Sequence, residues 1–158
     1  MAEPLADKII LKISQAAESY HRLVLLLSPS GTGKTAALQE VHERTAAPLL
    51  NVNLELSRRM LDLTEIQRAL RLPSLLSEIV CSNSTNVVLL DNIEILFDIS
   101  LKQDPLRLLQ GVSRNTTVVA ACSCSIDKEN MIYATPGHPE YRRYPLKDFL
   151  VVFPEIIE

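Results

Sequence analysis

The sequence predicts a three-layer α/β fold in which helices cover both faces of a mainly parallel, five-stranded sheet. The first observation is that short aliphatic runs alternate with helix-periodic segments from one end of the chain to the other. The second is composition: 47% of the residues are hydrophobic and only 4% aromatic, without Trp, so Leu, Ile and Val must form the core. Buried parallel strands are typically such aliphatic runs. Because 158 residues correspond to about one domain, we expect a single domain over 1–158, with an N-terminal helix within 1–20 and an α/β core over 23–158.

The N-terminal half predicts helix, strand, helix and strand in that order. Residues 5–20 carry Ile and Ala at helical spacing with lysines between them, which predicts an amphipathic helix. The run 23–27 is continuously apolar, which predicts a buried strand ending at a turn-forming cluster, 28–33. Helical spacing returns over 34–45, and alternation over 49–54 predicts the second strand.

The C-terminal half continues this alternation. Residues 57–80 predict one or two helices, and we expect Pro73 to break or start one of them because proline lacks a backbone N–H. The segment 127–146 is rich in Pro and predicts a loop. The remaining predicted elements are strands at 86–91, 116–121 and 149–153 and a short helix at 105–112.

Charge and cysteine content narrow the functional classes. The net charge of −3 argues against a chain-wide field for nucleic acid. Cys81, Cys122 and Cys124 form no disulfide framework, and we expect reduced thiols, the last two being small residues at a strand end. Neither a secretory signal nor a membrane-spanning run is recognised, so we expect a cytoplasmic protein without a membrane partner.

The turn after the first strand carries a phosphate-binding pattern. Residues 28–35, SPSGTGKT, match the last three fixed positions of G-x-x-x-x-G-K-[ST], with Ser28 replacing the first Gly. In such a loop Lys34 contacts the outer phosphates and Thr35 offers its hydroxyl to Mg²⁺. The residues expected to surround the phosphate oxygens are Ser30, Gly31, Thr32 and Gly33, together with Lys34 and Thr35. A plain Gly-containing loop is the alternative, and the preceding strand and following helix disfavour it.

An acidic residue ends the strand predicted at 86–91. Asp91 would lie at the edge of a parallel sheet where ligands bind, so its carboxylate could hold Mg²⁺ through water beside the phosphate loop. Its alternative role is to cap the next helix. The segment Leu101-Lys102-Gln103-Asp104 lacks the Asn of the guanine-reading Asn-Lys-x-Asp signature, which favours ATP over GTP.

The segments SPSGTGKT and VVLLDNIE resemble the Walker A and Walker B motifs of P-loop ATPases, most of all the AAA+ group. At a finer level, most of the chain resembles the BrxF family, small P-loop proteins of type III BREX bacteriophage-exclusion systems. The resemblance implies an ATP- and Mg²⁺-dependent protein that self-associates and acts with other BREX defence proteins. It leaves open whether DNA is contacted directly. Since the chain ends soon after its last strand, the resemblance also implies an AAA+-like core lacking the helical lid domain.

The resemblance assigns catalytic roles to further residues. AAA+ ATPases usually place Glu directly after the Walker B Asp, but this position is Asn92 here and the next carboxylate is Glu94. Glu94 either turns inward to position water or is a solvated helix residue. Ser123 ends the strand expected between the two Walker strands and matches a sensor residue, or is a plain strand-end Ser. Arg142 and Arg143 lie where such proteins carry an arginine finger for a neighbouring subunit, or are simply solvated.

Three functions follow from these interpretations. The leading hypothesis is a Mg²⁺-dependent ATPase of slow or partner-dependent activity in phage defence. The second is a nucleotide-gated interaction module with little or no hydrolysis, favoured by Asn92 because an amide cannot accept a proton. The third is a small-molecule P-loop kinase, whose lid would have to be the segment 127–146.

Overall fold

Five parallel strands form the central sheet of the computed structural model, which describes residues 5–27, 33–81, 85–114, 116–127, 130–133, 142–145 and 149–152. The strands within these residues are β1 (Leu23–Leu27), β2 (Leu49–Asn51), β3 (Val87–Asp91), β4 (Thr117–Cys122), β5 (Ser125–Asp127), β6 (Asn130–Tyr133), β7 (Arg142–Pro145) and β8 (Leu150–Val152). The central sheet has the order β2-β3-β4-β1-β8, with every neighbouring pair parallel. The predicted five-stranded parallel sheet is confirmed, and β4 lies between β1 and β3 as expected.

Helices cover both faces of this sheet. They are α1 (Leu5–Ala16), α2 (Lys34–Thr45), α3 (Val52–Met60), α4 (Glu65–Cys81) and α5 (Pro105–Val112). Because successive strand residues point to opposite faces, Leu25 of β1 packs in the buried cluster formed with α3, α4 and α5. Val24 and Leu26 pack in a second cluster, formed with α1 and α2. The predicted three layers are therefore helices, sheet and helices.

The second strand is shorter than predicted. β2 ends at Asn51, whose Oδ1 accepts a hydrogen bond from the backbone N–H of Leu54 at 3.0 Å. An Asn side chain in this position satisfies a first-turn donor that a helix otherwise leaves unpaired. The alternating apolar residues after Asn51 therefore belong to α3 and not to the strand predicted over 49–54.

Helix α4 continues through Pro73, so the prediction that this residue breaks or begins a helix is wrong. A proline inside a helix removes the hydrogen bond to the carbonyl four residues earlier, which is that of Ala69. In this chain Nε2 of Gln103 donates to the Ala69 carbonyl oxygen at 2.7 Å. The side chain thus replaces the missing helical donor, and the helix persists.

The segment predicted as a loop over 127–146 contains strands. β5, β6 and β7 form a second, antiparallel sheet in that order, called the second sheet below. Met131 of β6 is buried in the core cluster on the α3 and α4 side of the central sheet. Pro136, Gly137 and Pro139, which favour a loop, lie outside the described residues. Burial of the Met131 side chain in the core therefore favours strand structure in the described part of this segment.

Two further features concern helices. α1 ends at Ala16, four residues before the predicted end at residue 20, and no helix follows β4 in the part of the chain that the structure describes. Within the same ranges, none of the helices combines the length and apolar character needed to cross a bilayer.

Candidate functional site

Two motif residues that are 56 positions apart meet at the carboxyl edge of the sheet. Asp91 ends β3, Thr35 lies in the first turn of α2, and Thr35 Oγ1 donates a hydrogen bond to Asp91 Oδ2 at 2.7 Å. Asp91 is only 9% exposed, and its Oδ1 accepts the backbone N–H of Asn92 at 2.9 Å. Hydroxyl and carboxylate oxygens are the ligands that Mg²⁺ prefers. The structure thus brings together the two residues predicted to hold the metal.

The start of α2 opens at this same edge. Gly33 precedes the helix with a φ of 81°, in the left-handed region that Gly adopts without strain, and its carbonyl accepts the N–H of Ala37 at 3.0 Å. Lys34, the first helical residue, is partly buried. The partial positive charge of the helix N-terminus therefore adds to the charge of Lys34. Ser30, Gly31 and Thr32, also predicted to bind phosphate, lie outside the described residues.

Asn92 redirects the chain after β3. Its φ of 55° lies in the left-handed region, which Asn tolerates better than most residues, and its side chain is exposed. A short 3₁₀ helix follows, Ile93–Phe97, called the Glu94 helix below. Oε2 of Glu94 accepts a hydrogen bond from the backbone N–H of Ser123 at 3.4 Å. The Glu94 carboxylate is therefore turned toward the end of β4 instead of into open solvent.

Beside the Glu94 carboxylate lies a cleft of about 460 Å³. Its lining consists of Asn53, Asn92, Glu94, Ile95, Asp98 and Tyr133. Asp98 uses its Oδ1 within its own segment, where it accepts both the N–H and the hydroxyl of Ser100 at 2.9 and 2.8 Å. Asn53, Asp98 and Tyr133 belong to no sequence motif, so only the tertiary fold brings them to this cleft.

Ser123 follows β4 directly and lies between Cys122 and Cys124. The structure joins the sulfur atoms of these two cysteines in a disulfide, with their Cα atoms 5.5 Å apart. The expectation of two reduced thiols is therefore wrong at this position, whereas Cys81 is a free and exposed thiol. The side chain of Ser123 is partly buried, and its backbone N–H makes the contact with Glu94.

Arg142 and Arg143 lie on β7 of the second sheet and face different sides. Arg142 is partly buried, like Tyr144, whereas Arg143 is exposed. Burial, and then the hydrogen bond from its hydroxyl to Asp104 at 2.8 Å, raises the pKa of Tyr144, while the positive charge of Arg142 opposes this rise. Arg142 therefore lies near Tyr144 on the inward side, and Arg143 is the arginine presented outward.

Comparisons with known proteins give a structural neighbour and a family match. The structure resembles part of C. elegans PCH-2, with a TM-score of 0.46 and 16% sequence identity, over 78% of this chain and 38% of the PCH-2 chain. A search of curated proteins gives no significant match. The sequence profile of the AAA family, ATPases associated with various cellular activities, matches residues 24–130. That match covers more than half of the chain, which therefore belongs to the AAA family of ATPases.

Proposed function

We propose that this chain binds ATP with Mg²⁺ and hydrolyses it slowly, as a self-associating component of a bacterial phage-defence system of the BREX type. The observation that carries the proposal is the 2.7 Å hydrogen bond between Thr35 and Asp91, since it unites the two motifs at one sheet edge. Membership of the AAA family supports nucleotide binding. The resemblance to the BrxF family supports cytoplasmic BREX proteins as the partners.

The side chains at the sheet edge fit a magnesium nucleotide. The Thr35 hydroxyl and the Asp91 carboxylate are oxygen ligands of the kind that Mg²⁺ takes alongside phosphate oxygens and water. Lys34 supplies a compact positive charge for the outer phosphates, and the N-terminus of α2 adds its dipole. When bound, Mg²⁺ neutralises charge on the phosphate oxygens. The three side chains would then bind and orient the phosphate chain.

Glu94 is the group we assign to activating water. The Asn92 amide cannot accept a proton, but the Glu94 carboxylate can, and it is directed toward the end of β4 on the same edge as Asp91. The contact with the Ser123 N–H holds the carboxylate there. Because that bond is long, at 3.4 Å, and Glu94 is shifted from the usual position, slow turnover is expected.

The proposal is tested by measuring ATP turnover per chain, with Lys34→Ala as the blank. Glu94→Gln keeps the shape of the side chain but removes the base, so turnover should fall by about 100-fold or more while MgATP binding, measured by calorimetry, persists. Glu78→Gln, at an exposed position of α4, is the matched control and should behave as wild type. Equal turnover in the two Gln variants would show that Glu94 has no such role, and absent MgATP binding would contradict the proposal as a whole.

A nucleotide-gated interaction module is the second candidate. The observation in its favour is the exposed amide of Asn92 directly after Asp91, where a water-activating carboxylate would otherwise stand. This function requires MgATP binding together with ADP production no greater than that of Lys34→Ala. Adding BREX partner proteins to the same assay distinguishes an ATPase that is active only with its partners from a module that never hydrolyses ATP.

In the proposed self-association, Arg143 has the role of an arginine finger for a neighbouring chain. Its outward position on β7 supports a contact with the phosphates in a neighbouring chain, whereas Arg142 lies inward. Arg143→Ala should lower turnover, and Arg107→Ala, which removes a side chain that is 86% exposed, should not. A mixture of Arg143→Ala and Glu94→Gln chains should recover part of the lost activity, because one chain supplies the arginine and the other the carboxylate. Two inactive variants that stay inactive when mixed would argue against an arginine acting between chains.

A further inference from the structure

One aromatic pair connects the second sheet to the Glu94 helix. The ring of Tyr133, on β6, stacks on the ring of Phe97, with centroids 3.8 Å apart and an interplanar angle of 17°. Phe97 is the last residue of the Glu94 helix and is only 2% exposed. A flat ring of the second sheet therefore packs directly against the segment that carries the Glu94 carboxylate.

The geometry of the Glu94 helix makes this stack relevant to Glu94. A 3₁₀ helix has three residues per turn, so residues i and i+3 lie one above the other. Glu94 and Phe97 have this spacing and share one side of the helix. Glu94 and Tyr133 also line the same cleft. The Tyr133 ring, by packing against Phe97, thus limits rotation of the helix face that carries the Glu94 carboxylate.

The Glu94 helix has little internal means of holding its orientation. It is five residues long, and 3₁₀ hydrogen bonds have poorer geometry than those of an α-helix. It begins after a left-handed residue, Asn92, so its direction depends on one backbone conformation. The contact that it helps to position, from the Ser123 N–H to Glu94, is long at 3.4 Å. Tertiary packing must therefore fix the position of the carboxylate.

The second sheet is connected to both partners of that contact. β5 begins two residues after Ser123, so the sheet continues the chain from the donor, and Tyr133 of β6 stacks on the helix that carries the acceptor. β6 pairs with β7, which the Tyr144 hydroxyl joins to Asp104 beside α5 at 2.8 Å. The sheet thus holds β4 and the Glu94 helix in one arrangement.

We propose that Tyr133 is a positioning residue for hydrolysis, which sets the orientation of Glu94 through its stack on Phe97. The inference rests on the proposed role of Glu94 in activating water. Loss of the ring should lower kcat about tenfold, a smaller effect than loss of the carboxylate itself, and should leave the Kd for MgATP within about twofold. The ring is the active feature, so Tyr133→Phe should retain most of the turnover.

The experiment compares Tyr133→Ala, Tyr133→Leu and Tyr133→Phe with wild type and Glu94→Gln, in turnover and in MgATP binding. Leu fills space without a planar face and serves where Ala fails to fold. Tyr20→Ala removes another Tyr, one that is 69% exposed and precedes β1 at the opposite edge of the sheet, and is the control. Lowered kcat in the Ala and Leu variants, unchanged Kd and retained turnover in Tyr133→Phe are the expected results. Wild-type turnover in Tyr133→Leu, or equal losses in Leu and Phe, would overturn the proposal.

Hydrogen exchange separates failure of this inference from failure of the proposed function. The amide of Ser123 and those of residues 93–97 should exchange faster in Tyr133→Leu than in Tyr133→Phe, whether or not ATP is hydrolysed. If Glu94→Gln leaves turnover unchanged, the proposed function fails in that respect and the exchange data alone decide whether Tyr133 positions the helix. Identical exchange in the Leu and Phe variants would overturn the inference even when Glu94 proves essential.

Discussion

Asp104 stabilises two elements through a single oxygen atom. Its Oδ1 accepts the backbone N–H groups of Leu106 and Arg107, at 3.1 and 3.4 Å, in the first turn of α5. The same atom accepts the hydroxyl of Tyr144, from the second sheet, at 2.8 Å. We expect Asp104→Ala to lower the free energy of unfolding by about 2–3 kcal/mol.

The magnitude follows from the two kinds of contact. Loss of an N-cap side chain costs about 1 kcal/mol. Loss of a hydrogen bond to a charged acceptor costs about 1.5 kcal/mol, and the half-buried Tyr144 hydroxyl is then left without this partner. The ion pair with Arg107 adds nothing measurable, because its atoms are 3.9 Å apart and the Arg107 side chain is 86% exposed. Asp104→Asn keeps a capping oxygen and should cost less than half as much.

Urea unfolding followed by circular dichroism measures these effects, provided that the m-value stays constant. The set comprises wild type, Asp104→Ala, Tyr144→Phe and the double variant, with Arg107→Ala as a control that should be neutral. Because both single variants remove the same hydrogen bond, the double variant should cost about 1 kcal/mol less than the sum of the singles. Additivity within about 0.3 kcal/mol would refute the claim that this bond contributes to stability.

Three other predictions use the same unfolding assay. Because the pKa of Tyr144 is raised in the folded state, its neutral form contributes stability in full below about pH 10, and this contribution is lost as the pH rises further. The free energy of unfolding should therefore fall more in wild type than in Tyr144→Phe between about pH 9 and 11. Gly33→Ala should cost about 1–2 kcal/mol through its φ of 81°, since none of the described atoms lies within 4 Å of the added Cβ. Gly111→Ala, inside α5 and likewise clear of described atoms, should stabilise the protein by about 0.5–1 kcal/mol. Gln103→Ala should cost about 1 kcal/mol by leaving the Ala69 carbonyl without its donor, and a smaller loss is expected in a Pro73→Ala background, where the helical N–H returns. An equal loss in both backgrounds would show that Gln103 does not substitute for the missing N–H.

Features that depend on local pattern could be predicted from the sequence. β1 is five consecutive apolar residues and is buried throughout, so its run indicates a parallel strand covered on both faces. The meeting of Thr35 and Asp91 follows from two local motifs and the rule that parallel strands present their carboxyl ends at one edge. Neither prediction requires knowledge of a distant side chain.

Features that depend on one distant contact could not be predicted in this way. Continuation of α4 through Pro73 requires Gln103, which is 34 residues away from the carbonyl that it satisfies. The Glu94 helix follows the left-handed conformation of Asn92, and its Phe97 stacks on Tyr133 of the second sheet. A residue pattern contains no measure of such pairings, because each results from the whole packed arrangement.

The length of the edge strand β2 has a consequence for how copies of this chain can meet. β2 lies at one edge of the central sheet, is three residues long and is followed directly by α3. An edge strand offers unpaired backbone groups to another chain, and short edges offer few of them. Addition of a strand from another copy at the β2 edge is therefore a weak route to assembly, and we expect the proposed self-association to use exposed side chains such as Arg143. Contacts of that kind weaken with rising ionic strength, so the proposed assemblies should form and dissociate reversibly as salt is varied.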